Sequence, residues 1–189
     1  MPKTLVDAGV PLVSKLKFVS WNVNSLRARE PLVQKLIEQE NPDILCVQEL
    51  KIDDGEYVNN FFTEYDYQTI SQTQKSYNGV SISIKNQNRY KELTLSKLND
   101  HQARNNAIIL EDKNIVLLNN YFPNGNPIDS EKFDFKKQWM NDLYNEVKNI
   151  KQKYEIIITG DFNVIPEDDD AHDIKKYKKD ALAQPESRK

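Results

Sequence analysis

The stretch DILCVQE at positions 43–49 is apolar at every residue from Ile44 to Val47. A strand with one wet face alternates apolar and polar side chains. An unbroken apolar run of strand length belongs to a strand covered on both faces. That single requirement forces layers, because something must pack above the strand and something else below it. Other strand signals surround it: KFVSWNV (17–23), and NGVSISIK (78–85) with Val80, Ile82 and Ile84 in alternation. AIILEDKNIVLLNNYF (107–122) reads as a hairpin turning at Asp112–Asn114. Between these runs the period changes. REPLVQKLIEQEN puts Leu32, Val33, Leu36 and Ile37 on one helical face, and the span from Ser130 to Tyr154 carries Trp139, Met140, Leu143, Val147 and Ile150 at helical spacing. A last strand, YEIIITG, follows. Strands and helices alternating without repeats predict a layered α/β domain.

At 189 residues the chain is one domain or a large part of one. Residues 1–15 read as an N-terminal extension with no assignable role, and 16–189 as the domain proper. The acidic stretch PEDDDAHD reads as a solvated connection, with His172 at the surface. Pro185-Glu186-Ser187-Arg188 reads as the start of a helix, since proline and an acid suit a first turn. No apolar stretch is long enough for a signal peptide or a membrane span. One cysteine, Cys46, sits within the apolar run and cannot form an internal disulfide, which fits a reducing, cytoplasmic setting. The formal net charge of −3 offers no global attraction for a polyanion. Any such partner has to be drawn by local cations or a bound metal.

Polar residues recur at one kind of place, the C-terminal tip of an apolar strand. Asn22 and Asn24 follow the first strand and Glu49 the second; Tyr121 ends the hairpin, and Asp161 and Asn163 end the last strand. Each alone has a dull explanation, because Asn and Asp favour turns and Tyr is common at strand ends. As a set they carry a chemical logic: carboxylates for a hard divalent cation, amides to orient, a phenol to donate. Strand tips in α/β sheets are also where loops converge over a rigid floor.

The segments LKFVSWNVNSLRAR, NPDILCVQELKI, YNGVSISIK, NNYFPNGNP and IIITGDFNVIPEDDDAHD together resemble the exonuclease III branch of the endonuclease/exonuclease/phosphatase superfamily, the bacterial abasic-site endonucleases. The resemblance implies a four-layered α/β sandwich of DNase I-like type, two packed and mainly antiparallel sheets flanked by helices, the second sheet incomplete here. It implies Mg²⁺ as cofactor (Mn²⁺ in its place), held by Glu49 with Asn22, Asp161 and Asn163. Asp161 would take the proton of the attacking water, Asn163 would orient water or phosphate, and Tyr121 would donate to a phosphate oxygen. Arg27, Arg29 and Arg104 would contact the DNA backbone. Lys136 matches a family position that approaches DNA; a solvated helix lysine is an equal reading. The implied partner is duplex DNA carrying an abasic site or a 3′ end, and the implied state a monomer.

Two departures stand out. Relatives carry an acid two residues before the arginine of the middle motif, where this chain has Gln102; His101 beside it reads as a surface residue. Relatives also continue past the region matching Arg188, with a tryptophan-rich loop, a further aspartate and a Ser-Asp-His motif. The expectation from sequence is therefore a C-terminally truncated chain, weakly active and prone to aggregate. The alternatives are a non-catalytic fragment that still binds, or a superfamily phosphoesterase acting on a non-DNA phosphate.

Overall fold

The computed structural model describes residues 15–98 and 102–188. His101 and nearly all of the N-terminal extension lie outside the described residues. Among the described residues eight strands form two four-stranded sheets, and each sheet has the same plan. The first contains β1 (Phe18–Asn22), β2 (Ile44–Gln48), β3 (Tyr67–Gln72) and β4 (Val80–Lys85), in the order β1-β2-β4-β3. The second contains β5 (Tyr90–Glu92), β6 (Asn105–Leu110), β7 (Ile115–Tyr121) and β8 (Glu155–Asp161), in that order. The pairs β1/β2 and β7/β8 are parallel and the other described pairs antiparallel. Parallel neighbours need a crossover, and helices α1 (Leu26–Glu40) and α3 (Glu131–Ile150) supply it.

That plan builds the site region. In a parallel pair both strands end on the same side, and the register places Asn22 opposite Gln48 and Tyr121 opposite Asp161. Glu49 therefore emerges beside Asn22. β1 and β8 approach each other across the sandwich, so the four tips meet.

The two sheets pack face to face through Ile44, Cys46, Ile82, Ile84, Ile108, Leu110 and Leu117. The alternate side chains of β2, Leu45 and Val47, face the outer helices with Val33, Ile37, Val58 and Phe62. This is the double coverage that the apolar run demanded. Helix α2 (Gly55–Thr63), capped by Asp54 accepting from the Tyr57 amide, completes that outer layer. On the opposite side, α3 lays Trp139 and Leu143 over Val116 and Leu118. Burial holds the Cys46 thiol far above its ordinary range, so it is an inert packing group.

One layer between the sheets is polar. Gln48 donates to Asn119 Oδ1 at 2.6 Å, and Asn119 donates to the carbonyls of Val47 (3.1 Å) and Ser81 (2.9 Å). Buried amides tolerate only one register in which all are bonded, so this seam locks one sheet against the other just below the strand tips.

The structure corrects one expectation of the fold. Leu32 is 52% exposed, because the stripe of α1 facing the sheet runs through Leu26, Val33 and Ile37, and Leu32 lies about 100° from Val33. Pro185–Ser187 form the single turn expected there, the Arg188 amide donating to Gln184 O in the i→i−4 pattern of a helix's first turn. The acidic stretch is the exposed connection expected, with one 3₁₀ turn at Asp168–Asp170; two more, Ile174–Tyr177 and Ala181–Ala183, follow it.

Candidate active site at the strand tips

Asn22, the last residue of β1, is the hub. Its Nδ2 donates to Glu49 Oε1 at 2.9 Å and to Asp161 Oδ2 at 2.8 Å. Its Oδ1 accepts from the Asn24 amide at 3.0 Å, which fixes the side chain's orientation. Two carboxylates from different sheets are thus held at most two hydrogen bonds apart. Glu49 has φ 55, in the left-handed region, as do Asn24, Ser25, Lys51 and Asn163. A β2 strand continuing straight would carry residue 49 onward; the left-handed turn swings it toward Asn22 instead.

Lys51, which the sequence reading passed over, reaches back to Glu49 Oε2 at 2.8 Å and donates to Asn24 Oδ1 at 2.5 Å. Burial raises the Glu49 pKa, but hydrogen bonds from Asn22, Lys51 and Tyr121, with the Lys51 charge, outweigh it and hold the carboxyl below its ordinary value. The same contact acts oppositely on Tyr121. Burial, donation to Glu49 and the Glu49 charge drive its phenol well above 10, against the pull of Arg104. Tyr121 thus stays a proton-bearing donor throughout the neutral range.

Asp161 ends β8. Its Oδ1 accepts the Asn163 amide at 2.9 Å, and Asn163 Nδ2 donates to Phe122 O at 2.9 Å. Asn163 therefore joins the cluster through its main chain, its side chain turned to the loop after β7. Gly160 before it has φ 137, and a Cβ there would lie 1.9 Å from Asn120 O, so GDFN requires its glycine.

Arg104 stands at the edge. Its guanidinium lies 5.2 Å from the Tyr121 ring centroid, and its Nε donates to Gln102 Oε1 at 2.9 Å. Gln102 thereby performs neutrally the orienting job expected of an acid. A groove of about 480 Å³ lined by Gln102, Arg104, Asn124, Lys132 and Phe135 opens beside it. Arg27 stacks on Tyr57, 4.7 Å from its centroid, and Arg29 lies half-buried on the same first turns of α1. Lys136 is elsewhere altogether. It is 0% exposed and points into the protein under the Asp161–Asn163 loop, where a direct DNA contact is not available to it.

Glu49, Asp161 and the Asn22 amide supply oxygen donors without sulfur or imidazole, the donor chemistry of a hard divalent ion. Among the described residues no group of three or more His, Cys, Asp or Glu side chains could hold a metal, so the acidic loop offers no second centre. Two carboxylates leave most coordination positions to water and ligand, and that donor set fits magnesium or manganese.

A profile of the endonuclease/exonuclease/phosphatase family matches residues 19–188. The chain belongs to this family. It is 30% identical over 168 residues to the exodeoxyribonuclease of Bacillus subtilis, covering 88% of this chain and 66% of that one. It is 30% identical over 160 residues to exodeoxyribonuclease III of Haemophilus influenzae, covering 81% and 59%. Among solved structures it resembles a 3′ phosphatase from Neisseria bound to a product DNA hairpin, with TM-score 0.82, 30% identity, and 92% and 68% of the two chains covered. An abasic-site endonuclease from Archaeoglobus fulgidus gives TM-score 0.81 at 30% identity over 92% and 67%. The family match bears out the sandwich fold. The chain spans less than two thirds of the length of these curated relatives. Among the described residues no helix is long and apolar enough to cross a membrane.

Proposed function

We propose that this chain carries the core of a Mg²⁺-dependent DNA repair nuclease that hydrolyses phosphodiester bonds of duplex DNA at abasic sites and 3′ ends. The observation carrying this reading is the convergence of Glu49 and Asp161 on one amide, Asn22. Family membership and the nuclease names of its relatives support it.

Glu49, with Asn22 and Asp161, would hold the ion, which supplies positive charge to the scissile phosphate when bound. Asp161 is the base. Among the described residues no ion pair engages it, and its Oδ1 and Oδ2 are aimed by the Asn163 amide and by Asn22, so the carboxylate can take a proton from water at a fixed position. Tyr121 keeps its proton and donates to a phosphate oxygen as charge builds there. Arg104 faces the same edge and contacts the DNA backbone, with Arg27 and Arg29 on the flank contributing phosphate contacts that need no sequence preference. Asn163 orients water or phosphate through the loop it closes. The enzyme acts as a monomer in the cytoplasm, a setting supported by a lone, buried, unreactive thiol.

The test is cleavage of a synthetic abasic duplex by the purified chain with Mg²⁺, repeated with EDTA, with D161N and with E49Q, alongside a panel of small phosphate esters. EDTA abolishes nicking, and D161N lowers it by about 10²–10⁴-fold. Turnover of the esters but not of DNA supports the phosphoesterase alternative, and duplex binding without any turnover supports the non-catalytic one.

A further inference from the structure

The core-facing stripe of α3 runs Phe133, Lys136, Trp139 and Leu143, and all four are buried. Three are apolar, as a helix lying on a sheet requires. The fourth is a lysine at 0% exposure. A buried ammonium loses its hydration, and a chain gains nothing from that unless the charge or its hydrogen bonds do work.

Its partners show what the work is. Lys136 Nζ donates to the carbonyl of Asn163 at 2.6 Å and to that of Asn124 at 3.4 Å. These belong to different loops, the one leaving β8 and the one leaving β7. The first carries Asp161 and Asn163; the second follows directly on Tyr121. Asn163 bridges them again, with its Nδ2 on Phe122 O at 2.9 Å. The lysine stem is itself fixed. The Gly125 backbone presses on it so closely that an added Cβ would sit 2.7 Å from Lys136 Cδ and 3.2 Å from its Cβ.

We propose that Lys136 is a positioning residue of the candidate site: its ammonium clamps the two loops together and so sets the angle at which Asp161 meets Asn22. The main-chain unit between these contacts is short. One end of residue 163, its N–H, is bound to Asp161 Oδ1 at 2.9 Å, and the other end, its C=O, to Lys136. Releasing the carbonyl frees the residue to turn about its left-handed φ of 49, and the aspartate loses its main-chain donor. Burial lowers the Lys136 pKa to about 8, opposed by the nearby charges of Asp180 and Asp161; that opposition is consistent with an ammonium seated beneath the site.

The kinetic arm of this inference rests on the nuclease reading, whereas its structural arm does not. The experiment compares wild type, K136M and K136R in the full chain, by residue-resolved amide exchange and by steady-state cleavage of an abasic duplex with Mg²⁺. In folded K136M the Asn163 amide exchanges about 10-fold faster or more, while those of Leu118 and Ile157 stay within about twofold. Its kcat falls about 10²-fold, the scale of one lost positioned donor, with KM within about threefold. K136R, which keeps donors and charge, holds the Asn163 amide near its wild-type rate. A uniform rise in exchange, or none, overturns the clamp, and so does a change in KM alone. If K136M does not fold, K136Q takes its place: faster exchange confined to the Asn163 amide supports the clamp, and a uniform rise or none overturns it. A wild-type chain without turnover overturns the nuclease reading only, and leaves exchange to judge the clamp.

Discussion

Asn22 and Asp161 stand 139 residues apart in the chain and share a hydrogen bond of 2.8 Å between the first strand of one sheet and the last strand of the other. The same nitrogen serves Glu49. In N22A two carboxylates face each other with no donor between them. Cleavage of an abasic duplex is expected to fall about 10²–10³-fold, with circular dichroism unchanged. An activity within threefold of wild type would remove Asn22 from the site.

Lys51 neutralises the carboxylate that the divalent ion needs, at 2.8 Å. The two cations therefore compete for Glu49. A unit charge at about 4 Å is worth about 1 kcal/mol in water, so K51M should bind Mn²⁺ about fivefold more tightly in calorimetry. Weaker binding in K51M would mean that the lysine builds the site instead of competing for it.

Asn119 is 0% exposed and makes three hydrogen bonds across the sheet interface. N119A takes a donor from two buried carbonyls and one of three acceptors from the Gln48 amide, which keeps Ser20 Oγ and the Cys46 carbonyl. A loss of about 3 kcal/mol is expected in urea denaturation. A change below about 1 kcal/mol would show that the seam contributes little to holding the sheets in register.

Tyr67, far from the site, donates to Pro42 O at 2.5 Å from a fully enclosed position. Burial first, then the Asp43 charge, pushes its pKa up from 10.0 to about 12. Between those values the unfolded chain has lost the proton and the folded chain keeps it. Stability from this group is thus complete below pH 10 and drains away as pH rises toward 12. Y67F should cost about 1 kcal/mol at neutral pH and flatten the alkaline slope of unfolding free energy over that window. A slope identical to wild type would assign the alkaline loss to other groups.

Periodicity located the elements with strong patterns. The double-faced apolar β2, the alternating β4, the β6–β7 hairpin and the long α3 all stand where their residues place them. β3, with the polar sequence YQTISQ, carries no pattern of its own; it is a strand because β4 offers it a complete ladder from Tyr67 to Gln72. Short α2 is likewise carried by packing of Val58 and Phe62 more than by propensity. In the site, Asn22, Glu49, Tyr121 and Asp161 were legible because strand tips are readable. Lys51 and Lys136 were misjudged because charge in a sequence reads as solvent. One was passed over although it lies two residues beyond a carboxylate bent back by its left-handed backbone. The other occupies an apolar seat at i+3 between Phe133 and Trp139, and that spacing was the clue.

The left-handed residues at positions 24, 25, 49, 51 and 163 make the strand tips more demanding to transplant than to mutate. Grafting the same four side chains onto the tips of an ideal sandwich would leave Glu49 pointing along its strand and Asp161 without its main-chain donor. A designer copying this centre has to reproduce the bends first, and choose the side chains second.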